Sequence, residues 1–97
     1  MSCVVLLELQ VKPEAVNEVK AMLKAILPDT RSYAGCQGID IYENQDEKGN
    51  MVFYERWDSA DHYKKYLAWR TETGALAKLG ESLAAPPKIR YYEHVGV

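Results

Sequence analysis

The sequence has 97 residues, of which 47% are hydrophobic and 27% are charged. This length and composition predict one globular domain, residues 1–97, and exclude a disordered or membrane-embedded chain. Twelve Lys and Arg against fourteen Asp and Glu give a net charge of −2, with neither sign in a block, which argues against nucleic acid as a partner. The longest apolar run, Cys3 to Leu7, is far below the ~20 residues that cross a bilayer. Without a basic, signal-like N-terminus, we expect a cytoplasmic protein with no membrane partner.

The residues that bind metals are few and isolated. The two cysteines lie apart in apolar segments without the spacing of a zinc or redox motif, and the two histidines are far from each other in the chain. We therefore expect Cys3 and Cys36 to be buried free thiols and predict neither a metal site nor a cofactor.

The first third of the chain predicts a strand followed by a helix. Residues 3–11 alternate between two faces, one of which carries Val5, Leu7, Leu9 and Val11. Pro13 is suited to the first position of a helix, and apolar residues then recur at helical spacing, which predicts an amphipathic helix that ends at Pro28. A polar connection over residues 29–35 contains Arg31 and Gly35.

The middle of the chain predicts a hairpin and a second helix. Residues 36–44 are extended in pattern, residues 45–50 have the composition of a turn, and residues 51–57 form the partner strand. Asp58 or Ser59 is a suitable N-cap for the helix that follows. That helix places His62, Tyr66 and Trp69 on one stripe, with Tyr63, Leu67 and Arg70 beside it.

The last third predicts a short helical segment and a final strand. Gly74 interrupts the second helix, and a leucine stripe then continues until Pro86 and Pro87 stop it. Residues 88–95 alternate as a strand. The resulting order, β-α-β-β-α-(α)-β, is the ferredoxin-like α+β plan, in which helices cover one face of an antiparallel four-stranded sheet.

The uncovered sheet face predicts self-association. It carries more apolar and aromatic surface than a solvated face usually does, namely Val4, Leu6, Tyr54 and Tyr92, so we expect a homodimer. RNA-recognition modules share this element order, but they need aromatic residues on both central strands and a basic surface. The first strand has no aromatic residue and the net charge is negative, which excludes that class.

Three segments resemble the antibiotic biosynthesis monooxygenase (ABM) domain family. They are Val11-Lys12-Pro13-Glu14, Ala34-Gly35-Cys36, and Tyr54-Glu55-Arg56-Trp57 followed by an acidic helix start, and the resemblance spans nearly the whole chain. It implies a dimeric α+β barrel with a cleft between sheet and helices in each subunit. It also implies oxidation of a small aromatic, quinol-like or polyketide-like substrate by O2, without flavin, haem or metal.

The resemblance also suggests site residues. Trp57 matches a family Trp at the end of the third strand, Tyr63 matches a helix Tyr of polyketide-oxidising members, and Arg31 lies where many members carry Arg. Tyr66 stands where many members place His, and Phe53 where polyketide oxidisers can carry Asn. The candidate catalytic residues are therefore Tyr66, His62 and Arg31, and the candidate substrate-binding residues are Trp57, Tyr63 and Phe53.

Two questions stay open at the level of sequence. Glu55 shares a pleat face with Phe53 and Trp57, and we expect it to form an ion pair with Arg31 or Arg90 rather than act as a base. The alternative to a monooxygenase is a non-enzymatic, ligand-binding or stress-related dimeric barrel, which the replacement of the family His by Tyr66 favours. Haem degradation has less support, because Leu7 occupies the position where haem-degrading relatives carry Asn.

Overall fold

The fold is a four-stranded sheet with helices on one face. A computed structural model describes residues 2–97 and places the strands at β1 (Cys3–Gln10), β2 (Cys36–Glu43), β3 (Asn50–Trp57) and β4 (Lys88–Tyr92). The helices are α1 (Val16–Arg31), preceded by a 3-10 turn (Pro13–Ala15), then α2 (Ala60–Glu72) and α3 (Ala75–Gly80). This order confirms the ferredoxin-like α+β prediction. No helix in residues 2–97 is long and apolar enough to cross a membrane.

The sheet is antiparallel throughout, with the strand order β2-β3-β1-β4. Its inner face is built in rows across the strands. One row runs through Ile41, Phe53, Leu7 and Ile89, and the next runs through Ile39, Glu55, Val5 and Tyr91. The side chain of Glu55 on β3 therefore lies between Ile39 on β2 and Val5 on β1. This places a carboxyl in the middle of the apolar face that the helices cover.

The core consists of two hydrophobic clusters between the sheet and the helices. The larger cluster joins β1 and β3 to the apolar stripe of α1, as the spacing of that helix predicts; its fully enclosed members include Leu9, Val11, Val16 and Met51. The second cluster is mainly aromatic and lies at the end of the sheet where β3 passes into α2; it contains Cys3, Val5, Trp57, Tyr63 and Tyr66.

The outer face of the sheet has no covering layer within residues 2–97. Tyr54 and Tyr92 expose 39% and 44% of their surface, and Val4 and Leu6 are half-buried between them. The residues predicted to leave an apolar outer surface therefore do so.

The predicted end of the first helix is wrong by three residues. Helix α1 continues through Pro28 to Arg31, although proline removes one backbone donor from the helix. Thr30 is fully buried and its hydroxyl lies 2.7 Å from the Tyr66 hydroxyl. This tertiary contact anchors the last turn of the helix, so Arg31 belongs to α1 and not to the connection that follows.

The predicted ends of the last two elements are also wrong. Helix α3 stops at Gly80 rather than at Pro86, because the chain becomes extended and the Ala84 N–H donates to the Gln10 carbonyl at 2.7 Å. Strand β4 stops at Tyr92 rather than at residue 95. Tyr92 pairs with Val4, and only Cys3 of β1 lies beyond that pair, so β1 is too short to support a β4 that reaches residue 95.

Candidate functional site

A small, largely apolar cavity lies between the inner face of the sheet and the three helices. It encloses about 40 Å³, room for a few water molecules. Its walls are Leu7, Ile39, Phe53 and Glu55 from the sheet, Met22, Leu23, Ile26 and Leu27 from α1, Tyr63, Tyr66, Leu67 and Arg70 from α2, and Ala75, Leu76 and Leu79 around α3. An apolar cavity with a few polar groups is the usual form of a small-molecule site.

Glu55 is the acidic residue of this cavity and is only 2% exposed. The predicted ion pair with Arg31 or Arg90 is wrong: the only ion pair within residues 2–97 joins Lys20 to Glu43. Glu55 instead accepts a hydrogen bond from the Trp57 indole N–H at 3.1 Å. Desolvation raises the pKa of the Glu55 carboxyl to about 7, although the indole bond opposes the shift. A carboxyl with this pKa can exchange a proton near neutral pH.

Tyr63 brings a phenol close to that carboxyl. Its side chain is 1% exposed and makes no hydrogen bond to another described residue. Desolvation, followed by the charge of Glu55, raises the pKa of the Tyr63 hydroxyl far above its usual range, so it stays protonated at neutral pH. Tyr63 lines the cavity, and a protonated phenol can donate a hydrogen bond to a ligand there.

Tyr66 belongs to a buried polar network that links α1 and α2. Its hydroxyl lies 2.7 Å from Thr30 Oγ1 and accepts a hydrogen bond from Arg70 Nε at 3.0 Å. Arg70 Nη2 also donates to Thr30 Oγ1 at 2.9 Å and to the Ile26 carbonyl at 2.8 Å. Because Tyr66 and Arg70 both line the cavity, this network fixes the polar groups of its helical wall.

Trp57 supports the site without lining it. The indole is completely buried, and its ring centroid lies 5.0 Å from that of Tyr66 and 5.6 Å from that of Tyr63. Its one hydrogen bond goes to Glu55. Trp57 therefore acts on the cavity through the residues that it orients, whereas Phe53 and Tyr63 form part of the wall itself.

His62 and Arg31 do not line the cavity. Ser59 caps α2 by accepting the His62 backbone N–H at 3.2 Å, and its hydroxyl lies 2.7 Å from the ring Nδ1 of the same histidine. The ring packs over Gly35, where an added Cβ would lie 2.5 Å from the imidazole. Arg31 is exposed and donates to the Ile39 carbonyl at 3.3 Å. Neither is positioned to touch a ligand in the cavity as it stands.

The thiols are separate from this site. Cys3 is buried and Cys36 is half-buried, so the prediction of two buried thiols holds for Cys3 only; burial raises the pKa of the Cys36 thiol. Both residues pair with Trp57, from opposite sides of β3, and this intervening strand keeps them apart. No three His, Cys, Asp or Glu side chains come together as metal ligands in the portion of the chain described.

Sequence reasoning missed Arg70 and assigned Glu55 the wrong partner. The alternation of β3 places Glu55 and Trp57 on the same buried face, but it does not reveal that the indole N–H donates to the carboxyl. Arg70 lies one turn after Tyr66 on the inner side of α2, a spacing that brings two side chains together. The cavity thus combines a proton acceptor in Glu55, a phenol donor in Tyr63 and a cation in Arg70 with an apolar wall.

Comparison with known proteins gives a consistent family. The family model "Antibiotic biosynthesis monooxygenase" matches residues 2–73. The chain is 34% identical over 71 residues to the Mycobacterium tuberculosis protein named "Putative monooxygenase Rv0793", covering 67% of this chain and 69% of that protein. The solved structure of that protein superposes with a TM-score of 0.87 at 25% identity, over 100% of this chain and 98% of the other.

A second solved structure extends the fold comparison. A conserved protein from Methanosarcina mazei Go1 has a TM-score of 0.87 at 22% identity, over 96% of this chain and 92% of that one. At this identity the similarity concerns the fold alone. The family model covers most of the chain, and the M. tuberculosis relative agrees with it in both sequence and structure. The chain therefore belongs to the antibiotic biosynthesis monooxygenase family.

Proposed function

We propose that this protein is a cofactor-independent monooxygenase that oxidises a small aromatic, quinol-like or polyketide-like substrate with O2. The observation that carries the proposal is Glu55, a buried carboxyl with a pKa of about 7 that lines a largely apolar cavity beside Phe53, Tyr63 and Tyr66. A general base is most effective when its pKa lies near the working pH. The family named above supports the same reaction class.

In the proposed reaction Glu55 takes the proton of a phenolic hydroxyl. The resulting phenolate gives one electron to O2, and the substrate radical combines with superoxide to form a C–O bond. Glu55 then returns its proton to the peroxide, which becomes a hydroperoxide. Loss of the hydrogen on the same ring carbon as a proton, together with cleavage of the O–O bond, leaves one oxygen as a quinone carbonyl and releases the other, with both protons, as water. The substrate supplies all the electrons, so the residues only bind it, remove its proton and exclude water.

The cavity has to widen to admit such a substrate, because about 40 Å³ is less than the volume of an aromatic ring. The weakest part of the wall is α3, a helix of only six residues that follows Gly74 in a left-handed conformation, φ +80°. Leu76 is half-buried there and lines the cavity. We propose that outward movement of α3 opens the site.

Oxygen uptake with a panel of quinols and anthrones tests the proposed reaction. We expect turnover by the wild type and a loss of about 10²-fold or more in Glu55→Gln, the size of a typical general-base contribution. Trp57→Phe removes the indole bond and slows turnover less. Glu72→Gln, an exposed site on α2, removes the same charge and keeps full activity. A folded wild type without turnover on the panel, or a fully active Glu55→Gln, would refute the proposal.

We also propose that two copies pair through the outer sheet face. The support is its exposed tyrosines, Tyr54 and Tyr92, beside the half-buried Val4 and Leu6, because an apolar patch of this kind is typical of an interface. Light scattering coupled to size-exclusion chromatography should give the mass of a dimer, and Leu6→Glu should give that of a monomer. A monomeric wild type at micromolar concentration would exclude the pairing.

A further inference from the structure

Arg70 is a buried cation without an anionic partner. Its side chain is 5% exposed, and no carboxylate within residues 2–97 lies close enough to form an ion pair with it. A buried guanidinium loses the hydration of its charge, and an anion beside it offsets more of that cost than a neutral acceptor does. The position near the C-terminus of α2 stabilises a positive charge to a small extent.

The hydrogen bonds of Arg70 all go to neutral acceptors. Nε and Nη2 donate to three neutral oxygens, those of Tyr66, Thr30 and the Ile26 carbonyl. These bonds hold α1 to α2, and they leave the guanidinium without an anion beside it. Nη1 makes no hydrogen bond to any residue that the structure describes. Arg70 lines the cavity, and a guanidinium nitrogen without an acceptor remains able to donate to a ligand there.

The only acidic residue in the wall does not serve as the counter-ion. Glu55 lines the same cavity, but its hydrogen bond goes to Trp57 and it forms no ion pair with Arg70. Aromatic rings pack around the guanidinium instead, with its central carbon 4.5 Å from the Trp69 ring centroid and 5.4 Å from that of Tyr66. The cavity therefore has a cationic end and a separate carboxyl, between apolar surfaces.

We propose that the cavity binds its ligand as an anion, a planar aromatic compound whose ionised oxygen accepts from Arg70 Nη1. The inference rests on the proposed function for the identity of the site and narrows its substrate class to aromatic carboxylates or ionised phenols. The apolar walls take the ring, and the network of Tyr66 and Thr30 holds the guanidinium in place. Glu55 remains free to act on a second, un-ionised hydroxyl.

Binding of redox-inert probes tests this inference without any turnover. The carboxylate arm compares p-nitrobenzoate with its neutral isostere p-nitrobenzamide by calorimetry. The phenolate arm uses p-nitrophenol, whose absorbance reports ionisation in the bound state. A charge-assisted hydrogen bond corresponds to a preference of about 10- to 100-fold for the anion. We therefore expect one or both arms to show this preference, and the arm that does so identifies the source of the anionic oxygen.

Variants of the cation separate its charge from its structural role. Arg70→Gln should abolish the preference, and Arg70→Lys should retain part of it. Lys65→Gln, which removes a positive charge from the exposed face of the same helix, should leave the preference unchanged. Thermal melting of each variant establishes that it is folded. An unchanged preference in a folded Arg70→Gln variant would overturn the proposal.

The wild type alone decides the question if Arg70→Gln does not fold. No binding of either anion, or equal binding of the benzoate and the benzamide with no ionisation of p-nitrophenol on binding, would also overturn it. The binding experiment does not measure oxygen uptake, so its result does not depend on whether the proposed reaction occurs. Anion binding without oxygen uptake would support Arg70 as the ligand group and count against the monooxygenase.

Discussion

Replacement of Glu55 by Gln should make the protein more stable above neutral pH. Gln keeps the shape of Glu and an oxygen that accepts the Trp57 indole N–H, but it has no charge to desolvate. In the wild type the carboxyl is 2% exposed and no ion pair compensates its charge. The folded state therefore favours the protonated acid, and ionisation of Glu55 opposes folding.

The magnitude follows from the two pKa values of this group. Folding raises the pKa of Glu55 from its ordinary value of 4.5 to about 7, and each unit corresponds to about 1.4 kcal/mol. Its contribution to stability is fully present below pH 4.5, falls as the pH rises, and is lost above about 7. We expect wild type and Glu55→Gln to be nearly equal at pH 4.5 and to differ by about 3 kcal/mol at pH 8.

Urea denaturation of both proteins at half-unit steps from pH 4.5 to 8 measures this difference directly. Comparison of the two proteins cancels the titration of the groups that they share. Glu72→Gln, on the exposed face of α2, should parallel the wild type over the same range. A constant difference between wild type and Glu55→Gln across the range would mean that folding does not raise the pKa of this carboxyl, and would remove the basis for a general base in the cavity.

Two further substitutions probe the walls of the site, and a third probes the contact between Gly35 and His62 outside it. Tyr66→Phe leaves Arg70 Nε without its acceptor and should lower the free energy of unfolding by about 1–3 kcal/mol, whereas a change below 0.5 kcal/mol would contradict a tight network. Gly35→Ala should cost about 2 kcal/mol or more, because the residue has φ +91° and its Cβ would meet His62 at 2.5 Å; an unchanged melting temperature would refute the contact. Leu76→Ala thins the α3 wall and should tighten p-nitrobenzoate binding severalfold by calorimetry, and weaker binding would argue against opening at α3.

Most of the fold can be predicted from the sequence, because apolar residues that alternate in strands or recur at helical spacing are the ones that the structure buries. Alternation placed Phe53, Glu55 and Trp57 on one face, and all three are buried. The errors occur where tertiary contacts override local preference. Pro28 is a helix breaker by propensity, yet the burial of Thr30 extends α1 past it. Local rules contain no information about that contact.

The site is harder to predict than the fold, because its chemistry depends on contacts between side chains of different helices and strands. Tyr63, Tyr66 and Phe53 were predicted as site residues and do line the cavity. His62 has the residue type of a base, but its place in the first turn of α2 directs it to Ser59 and Gly35. Arg70 has the residue type of a solvated surface, but α2 turns it inward. In both cases the position along the helix, and not the residue type, determines which groups the side chain contacts.

Two features of the cavity make the best case for a ligand. A chain under selection for stability alone would pair Glu55 with Arg70 or replace both with apolar residues, since apolar replacement of buried charges is often neutral or stabilising. The structure does neither: the carboxyl is held by an indole and the guanidinium by neutral oxygens. Glu55 can therefore still accept a proton, and Arg70 can still bind an anion. The proposed ligand, a planar and acidic aromatic molecule, would use both at once.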